Sequence, residues 1–140
     1  MKPFIIFSSA VLRLIPFIQC EISMNNNAIE FFQALDRIEA SLKKCPEIGE
    51  TEGMKEHPAI FHYFCGSTDY YICEYDRNYF MFGYAILDGD LHNSEWGYFN
   101  RYSLVKTPQL NIDYHFPEQS IEAALYNSYP DYFKKPQSLM

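Results

Sequence analysis

FHYFCGSTDYYICEYDRNYFMFGYAI, residues 61–86, sets dense aromatic runs between short polar breaks. Tyr and Phe suit a pleated, half-buried surface and bury large areas at low conformational-entropy cost, so these runs read as strands. Gly66 to Asp69 is a turn between Ala59–Cys65 and Tyr70–Asp76, and the product is a hairpin. A second turn over residues 76–78 leads into a third strand, Tyr79–Ile86, where Gly83 marks a bulge or the close approach of a neighbour. Beyond it, LDGDLHNS (87–94) is a polar loop, residues 96–100 (WGYFN) form a short fourth strand, and residues 110–116 a fifth.

Upstream, Phe31, Phe32, Leu35, Ile38 and Leu42 recur at helical spacing. Asn27 as N-cap with Glu30 as its box partner starts an amphipathic helix over 28–44, and Lys43, Lys44 and then Pro46 end it. Residues 47–58 are a connecting loop with Gly49 and Gly53. Glu118 followed by Ile121, Ala124 and Leu125 predicts a short closing helix. The expected fold is α+β, an antiparallel sheet of about five strands with an N-terminal amphipathic helix and a short C-terminal helix packed on it.

The 140 residues suit one domain. Residues 1–23 have an apolar run, but Arg13 and two prolines interrupt it and no small-x-small cleavage site follows, so neither a secretory signal nor a spanning helix is read there. They are expected to lie outside the domain, with Met24 as an alternative start, residues 24–128 as the domain and residues 129–140 as a loosely ordered tail. Net charge is −7, which repels phosphate backbones and makes a nucleic acid an unfavoured direct ligand. Cys20, Cys45, Cys65 and Cys73 lack the spacing of a disulfide scaffold and read as reduced thiols of a cytoplasmic protein, with a Cys65–Cys73 bridge left open.

The chemistry-bearing residues are few. His57, His62, Cys65 and Cys73 are the best metal-ligand set, but a structural zinc site needs two tight ligand pairs and the second is missing, so no metal and no cofactor is expected. A Cys–His nucleophile needs the two side chains on one face. With Phe64 opposite Tyr70, alternation puts His62 with Ile60, Ile72 and Glu74, and Cys73 on the other face with Phe61, Tyr63 and Tyr71. Glu74 and Glu95 sit inside aromatic strands and are weak catalytic candidates as an acid–base pair, against simple pairing with Arg77 or Arg101. No phosphate-cradling glycine pattern, nucleophile elbow or H-E-x-x-H occurs.

The run IGETEG (48–53), then FHYF, YYICEYD (70–76), FGYA (82–85), EWGYF (95–99) and IDYHF (112–116) resembles, in order and spacing, an uncharacterised bacterial family catalogued as domain of unknown function twenty-nine fifty-eight. The resemblance spans residues 48–125. It implies a small cytoplasmic protein of plasmids, phages or conjugative elements, with no established activity. The chain departs from the family pattern at Cys65, Gly66 and Ser67, at Asn100, and at Asn111 and Ile112, where a basic residue is usual.

Neither face of the first hairpin is plainly polar, and an exposed aromatic face on a monomer marks an interaction site. The function expected is therefore a non-catalytic accessory protein of a mobile genetic element that binds an unidentified protein through Tyr63, Tyr71, Tyr75, Trp96 and Tyr98, with no role at a membrane. The alternatives are a small hydrolase-like enzyme using Glu74 and Glu95, and an acidic, DNA-mimicking inhibitor of a nucleic-acid-processing enzyme.

Overall fold

The computed structural model describes residues 9–25 and 28–140. In chain order these form α1 (Ser9–Leu12), α2 (Ile18–Asn25), α3 (Ile29–Lys44), β1 (Pro58–Ala59), β2 (Phe61–Cys65), β3 (Thr68–Tyr75), β4 (Phe80–Ile86), β5 (Glu95–Asn100), α4 (Arg101–Val105), β6 (Asn111–Ile112), β7 (Gln119–Ser120) and α5 (Ile121–Ser128). The fold is α+β. Five strands make one antiparallel sheet in the order β5-β4-β3-β2-β6, and β1 pairs with β7 in a small second ladder.

The hairpin turn is tighter than the sequence suggests. Cys65 pairs with Thr68, Phe64 with Asp69 and Tyr63 with Tyr70, so only Gly66 and Ser67 remain in the loop, the length that best matches strand twist. This is one residue away from the expected pairing of Phe64 with Tyr70, and such a slip turns side chains to the opposite face. His62 consequently lies opposite Tyr71. A second irregularity follows, because the β3–β4 register shifts between Ile72 and Glu74: Ile72 faces Gly83 while Glu74 faces Phe82. The extra residue, Cys73, is a bulge that turns Glu74 to the same face as Phe82.

The sheet buries both faces. On the first, α3 lays down Phe31, Leu35, Ile38 and Leu42, and these join Phe61, Tyr63, Ile72, Tyr75, Met81, Leu104 and Ile112 in one cluster. Burying each such helix side chain stabilises the fold by on the order of 1.5–3 kcal/mol. Ala28 takes the N-cap position of α3 without a side-chain hydrogen bond; the expected cap, Asn27, lies outside the described residues. On the second face Tyr71, Cys73, Tyr84 and Ile86 meet Ile121, Ala124 and Leu125 of α5. Ser120 caps α5 by accepting a hydrogen bond from the Ala123 N–H at 3.0 Å.

Two expectations about the ends are corrected. Val11, Leu14 and Ile15 are buried in the first cluster, and the Tyr63 hydroxyl donates to the Leu14 carbonyl at 2.8 Å. The segment from residue 9 to 23 is thus not wholly outside the domain, since α1 and the turn after it add apolar cover beside α3. At the other end Tyr129 and Phe133 pack against the second cluster, and Glu56 accepts bonds from the Ser138 N–H at 3.0 Å and hydroxyl at 2.6 Å. Residues 129–140 are tied down instead of loosely ordered. Among the described residues no helix is long and apolar enough to cross a membrane.

Candidate functional site

The second face is not covered along its whole length. Beyond α5, toward β5, a cavity of about 330 Å³ opens between the 47–57 loop and the sheet, lined by Gly49, Thr51, Glu52, Gly53, His57, Glu74, Phe82, Trp96 and Tyr98. Its wall comes from strand alternation. Tyr98 pairs with Phe82 and Trp96 with Tyr84 across the β4–β5 ladder, which projects Phe82, Trp96 and Tyr98 to one side. Phe82 and Trp96 lie nearly parallel with centroids 5.9 Å apart, Tyr98 stands 5.0 Å from Phe82, and the His57 ring is 4.5 Å from Trp96. Tyr98 is 65% exposed and forms the outer lip.

The cavity also holds a carboxylate. Glu74 is 3% exposed, which for a carboxylate demands hydrogen-bond partners. The loop supplies them: Gly49 N–H donates to Oε1 at 2.7 Å, Thr51 N–H to Oε2 at 2.9 Å, and the Thr51 hydroxyl also donates to Oε2. Gly49 sits at φ +91°, a backbone state that L side chains disfavour and that lets the chain turn its N–H inward. Burial pushes the Glu74 carboxyl pKa up, but the Thr51 hydroxyl, the two N–H donors and nearby His57 outweigh it and hold the group below its ordinary value. Glu74 is therefore an anion at neutral pH.

His57 closes the side of the cavity next to Trp96. Its Nδ1 lies 2.8 Å from Oε2 of Glu122, and its backbone N–H donates to the other oxygen of the same carboxylate at 2.8 Å. Glu122 stands in the first turn of α5, so the closing helix fixes the orientation of the imidazole. Residues 57 and 122 are too far apart in the chain for any spacing rule to join them; the β1–β7 ladder, which brings Pro58 opposite Ser120, and the packing of α5, whose Ile121 N–H donates to the His57 carbonyl at 2.7 Å, make them neighbours.

The remaining candidates separate. Glu95 is exposed and lies opposite Ala85, so alternation turns it away from Trp96 and from Glu74, and the two carboxylates share no site. Neither pairs with the arginines considered for them: Arg77 donates to the Tyr75, Leu42 and Cys45 carbonyls and meets Glu47 at 3.1 Å, while Arg101 donates to the Asn78 and Arg13 carbonyls. His62 and Cys73 do share a face, contrary to the expected register. His62, however, is held 2.7 Å from Asp69 and stacked on Tyr71 at 4.5 Å, and burial pushes the Cys73 thiol up to about 12, which leaves no thiolate for attack. All four cysteines are free thiols, and no cluster of three or more His, Cys, Asp or Glu side chains among the described residues is arranged to hold a metal ion.

Of the five aromatic residues expected to form a binding face, three are inside. Tyr63, Tyr71 and Tyr75 are 0%, 3% and 0% exposed: the first and third lie in one cluster with Val11, Leu14 and the apolar face of α3, and the His62 ring and Phe116 lie over Tyr71. Trp96 and Tyr98 stay accessible at the cavity, joined by Phe82, which the sequence did not single out. Comparison with protein-family models, with curated proteins and with solved structures finds no match for the chain.

Proposed function

We propose that this protein is a non-catalytic binding module that engages a protein partner through the open cavity at Phe82, Trp96 and Tyr98. One observation carries the reading: a row of aromatic rings ends in a tyrosine 65% exposed at the mouth of a concave site. Aromatic side chains with a polar tip are the groups that anchor protein interfaces. The setting implied by the family resemblance, a bacterial mobile genetic element acting in the cytoplasm, belongs to the same proposal. An acidic inhibitor of a nucleic-acid-processing enzyme is one form such a module takes, and the charge of −7 suits it.

A second reading rests on the Glu122–His57 pair, since a carboxylate orienting an imidazole is the arrangement of a general base. In that reading the hydrolase-like chemistry belongs to His57 and Glu74 and not to Glu74 and Glu95.

The deciding experiment is affinity purification of the full chain from a bacterial lysate, beside Tyr98→Ala and Tyr102→Ala. Tyr102 is exposed on α4 and is not part of the cavity lining. A stoichiometric partner held by wild type and Tyr102→Ala but lost by Tyr98→Ala is the expected outcome. A partner retained equally by all three, or none with wild type, removes the binding-module reading.

A further inference from the structure

Glu74 is an unusual charge. A buried carboxylate is normally matched by a cation or coordinates a metal, yet among the described residues Glu74 forms no ion pair with Lys or Arg, and its partners are all neutral donors of the loop. The charge is therefore stabilised chiefly by neutral donors, with His57 the one basic side chain of the lining, and Glu74 lines a cavity. Glu52 adds a second carboxylate to the lining, while the imidazole of His57 is held by Glu122.

The walls favour the same sign of ligand. Phe82, Trp96 and Tyr98 line the same cavity, and an aromatic ring attracts a cation to its face, most strongly at Trp. The lining combines fixed negative charge with aromatic rings, a pairing suited to an organic cation with an apolar stem.

The hydrogen-bond inventory narrows the cation. A carboxylate offers about four lone-pair sites. Thr51 N–H and hydroxyl occupy both sites on Oε2, and Gly49 N–H occupies one on Oε1. One acceptor position remains, on a single oxygen. A guanidinium fork uses both oxygens of a carboxylate in parallel, whereas an ammonium is a point charge that needs one.

Resting on the binding-module reading above, we infer that the cavity is a lysine pocket: a partner protein inserts a lysine side chain, its methylene stem against Phe82, Trp96 and Tyr98 and its ammonium on Oε1 of Glu74.

Trp96 is the only tryptophan of the chain, so intrinsic fluorescence reads this wall directly. The probes are the blocked amino acids N-acetyl-lysine-N-methylamide, its arginine counterpart, and the uncharged norleucine counterpart, titrated into the full-length protein. The expected result is a saturable change with the lysine probe and none with norleucine, with arginine at least about threefold weaker. Tyr98→Ala, at an exposed position, weakens the lysine response by about tenfold, a cation–π contribution of ordinary size. Glu74→Gln abolishes it, and an unchanged thermal midpoint in Tyr98→Ala separates loss of binding from loss of fold. Equal responses to lysine and norleucine, no response to lysine, or full retention of the response by Tyr98→Ala overturns the inference. A silent lysine probe beside a Tyr98-dependent partner in the affinity purification removes the lysine pocket and leaves the binding module standing. A specific lysine response with no such partner does the reverse for the module while the pocket holds.

Discussion

Gly83 shows how little room a single position leaves. It lies in β4 opposite Ile72, immediately before the register shift at Cys73, and a Cβ built there would stand 1.8 Å from the Tyr71 carbonyl oxygen and 2.8 Å from its carbon. Neither atom belongs to a flexible side chain, so the sheet itself has to move. Gly83→Ala is expected to destabilise the protein by about 3 kcal/mol, the upper part of the range for overpacking. Gly97, its neighbour on β5, has nothing within 4 Å of the same construction, and Gly97→Ala should change stability by no more than about 0.5 kcal/mol. Urea denaturation of the two variants checks this; equal midpoints would mean that the backbones at Gly83 can part without strain. The glycine was conspicuous in the sequence because it interrupts an aromatic strand. What it accommodates is a carbonyl, which no sequence reveals.

Elements were legible in proportion to how local their causes are. The α3 helix follows from the spacing of Phe31, Leu35, Ile38 and Leu42, all of them buried, and the β2–β3–β4 meander follows from aromatic runs and turn residues. The register did not follow, because a two-residue and a three-residue loop leave equally good aromatic alternation on both strands, and the choice is made by loop strain and packing on both sheet faces. Helix α4 was missed since five residues, RYSLV, are too few to show a period; its Asn100 cap, which accepts from Ser103 N–H at 3.1 Å, is the signal that was available. The cavity was half visible. IGETEG, Glu74, Trp96 and Tyr98 stand out in the sequence, but the Glu122–His57 contact depends on the packing of α5. The C-terminal segment carries a test at this scale. Glu56 accepts from Ser120 and twice from Ser138, clamping the last turn to β7. Glu56→Ala should speed tryptic cleavage after Lys134 several-fold, read by mass spectrometry of the released peptide. An unchanged rate would place the hold on Tyr129 and Phe133 instead.

At the scale of the molecule, the sheet is a layer with cover on both sides, and the cover of the first face begins at α1. Leu14 is fully buried there, next to the Tyr63 hydroxyl that its own carbonyl receives. Leu14→Ala should cost about 2–5 kcal/mol, the range for a large-to-small change that leaves a cavity in a core. Urea denaturation measures it, and a loss below about 0.5 kcal/mol would restore the N-terminal segment to the status of an appendage. The same arrangement sets a delay on the ribosome. Arg101 donates to the Arg13 carbonyl across 88 positions of chain, so the contacts that hold the segment around Arg13 are complete only once residue 101 has been made. At roughly 5–20 residues per second, residue 101 follows Arg13 by about 4–18 s. During that interval Val11, Leu14 and Ile15 lack part of their final surroundings, and a loosely held apolar segment is open to holdase chaperones and to neighbouring nascent chains. Protection of the segment during that interval then bears on the yield of folded protein beside the stability of the finished fold.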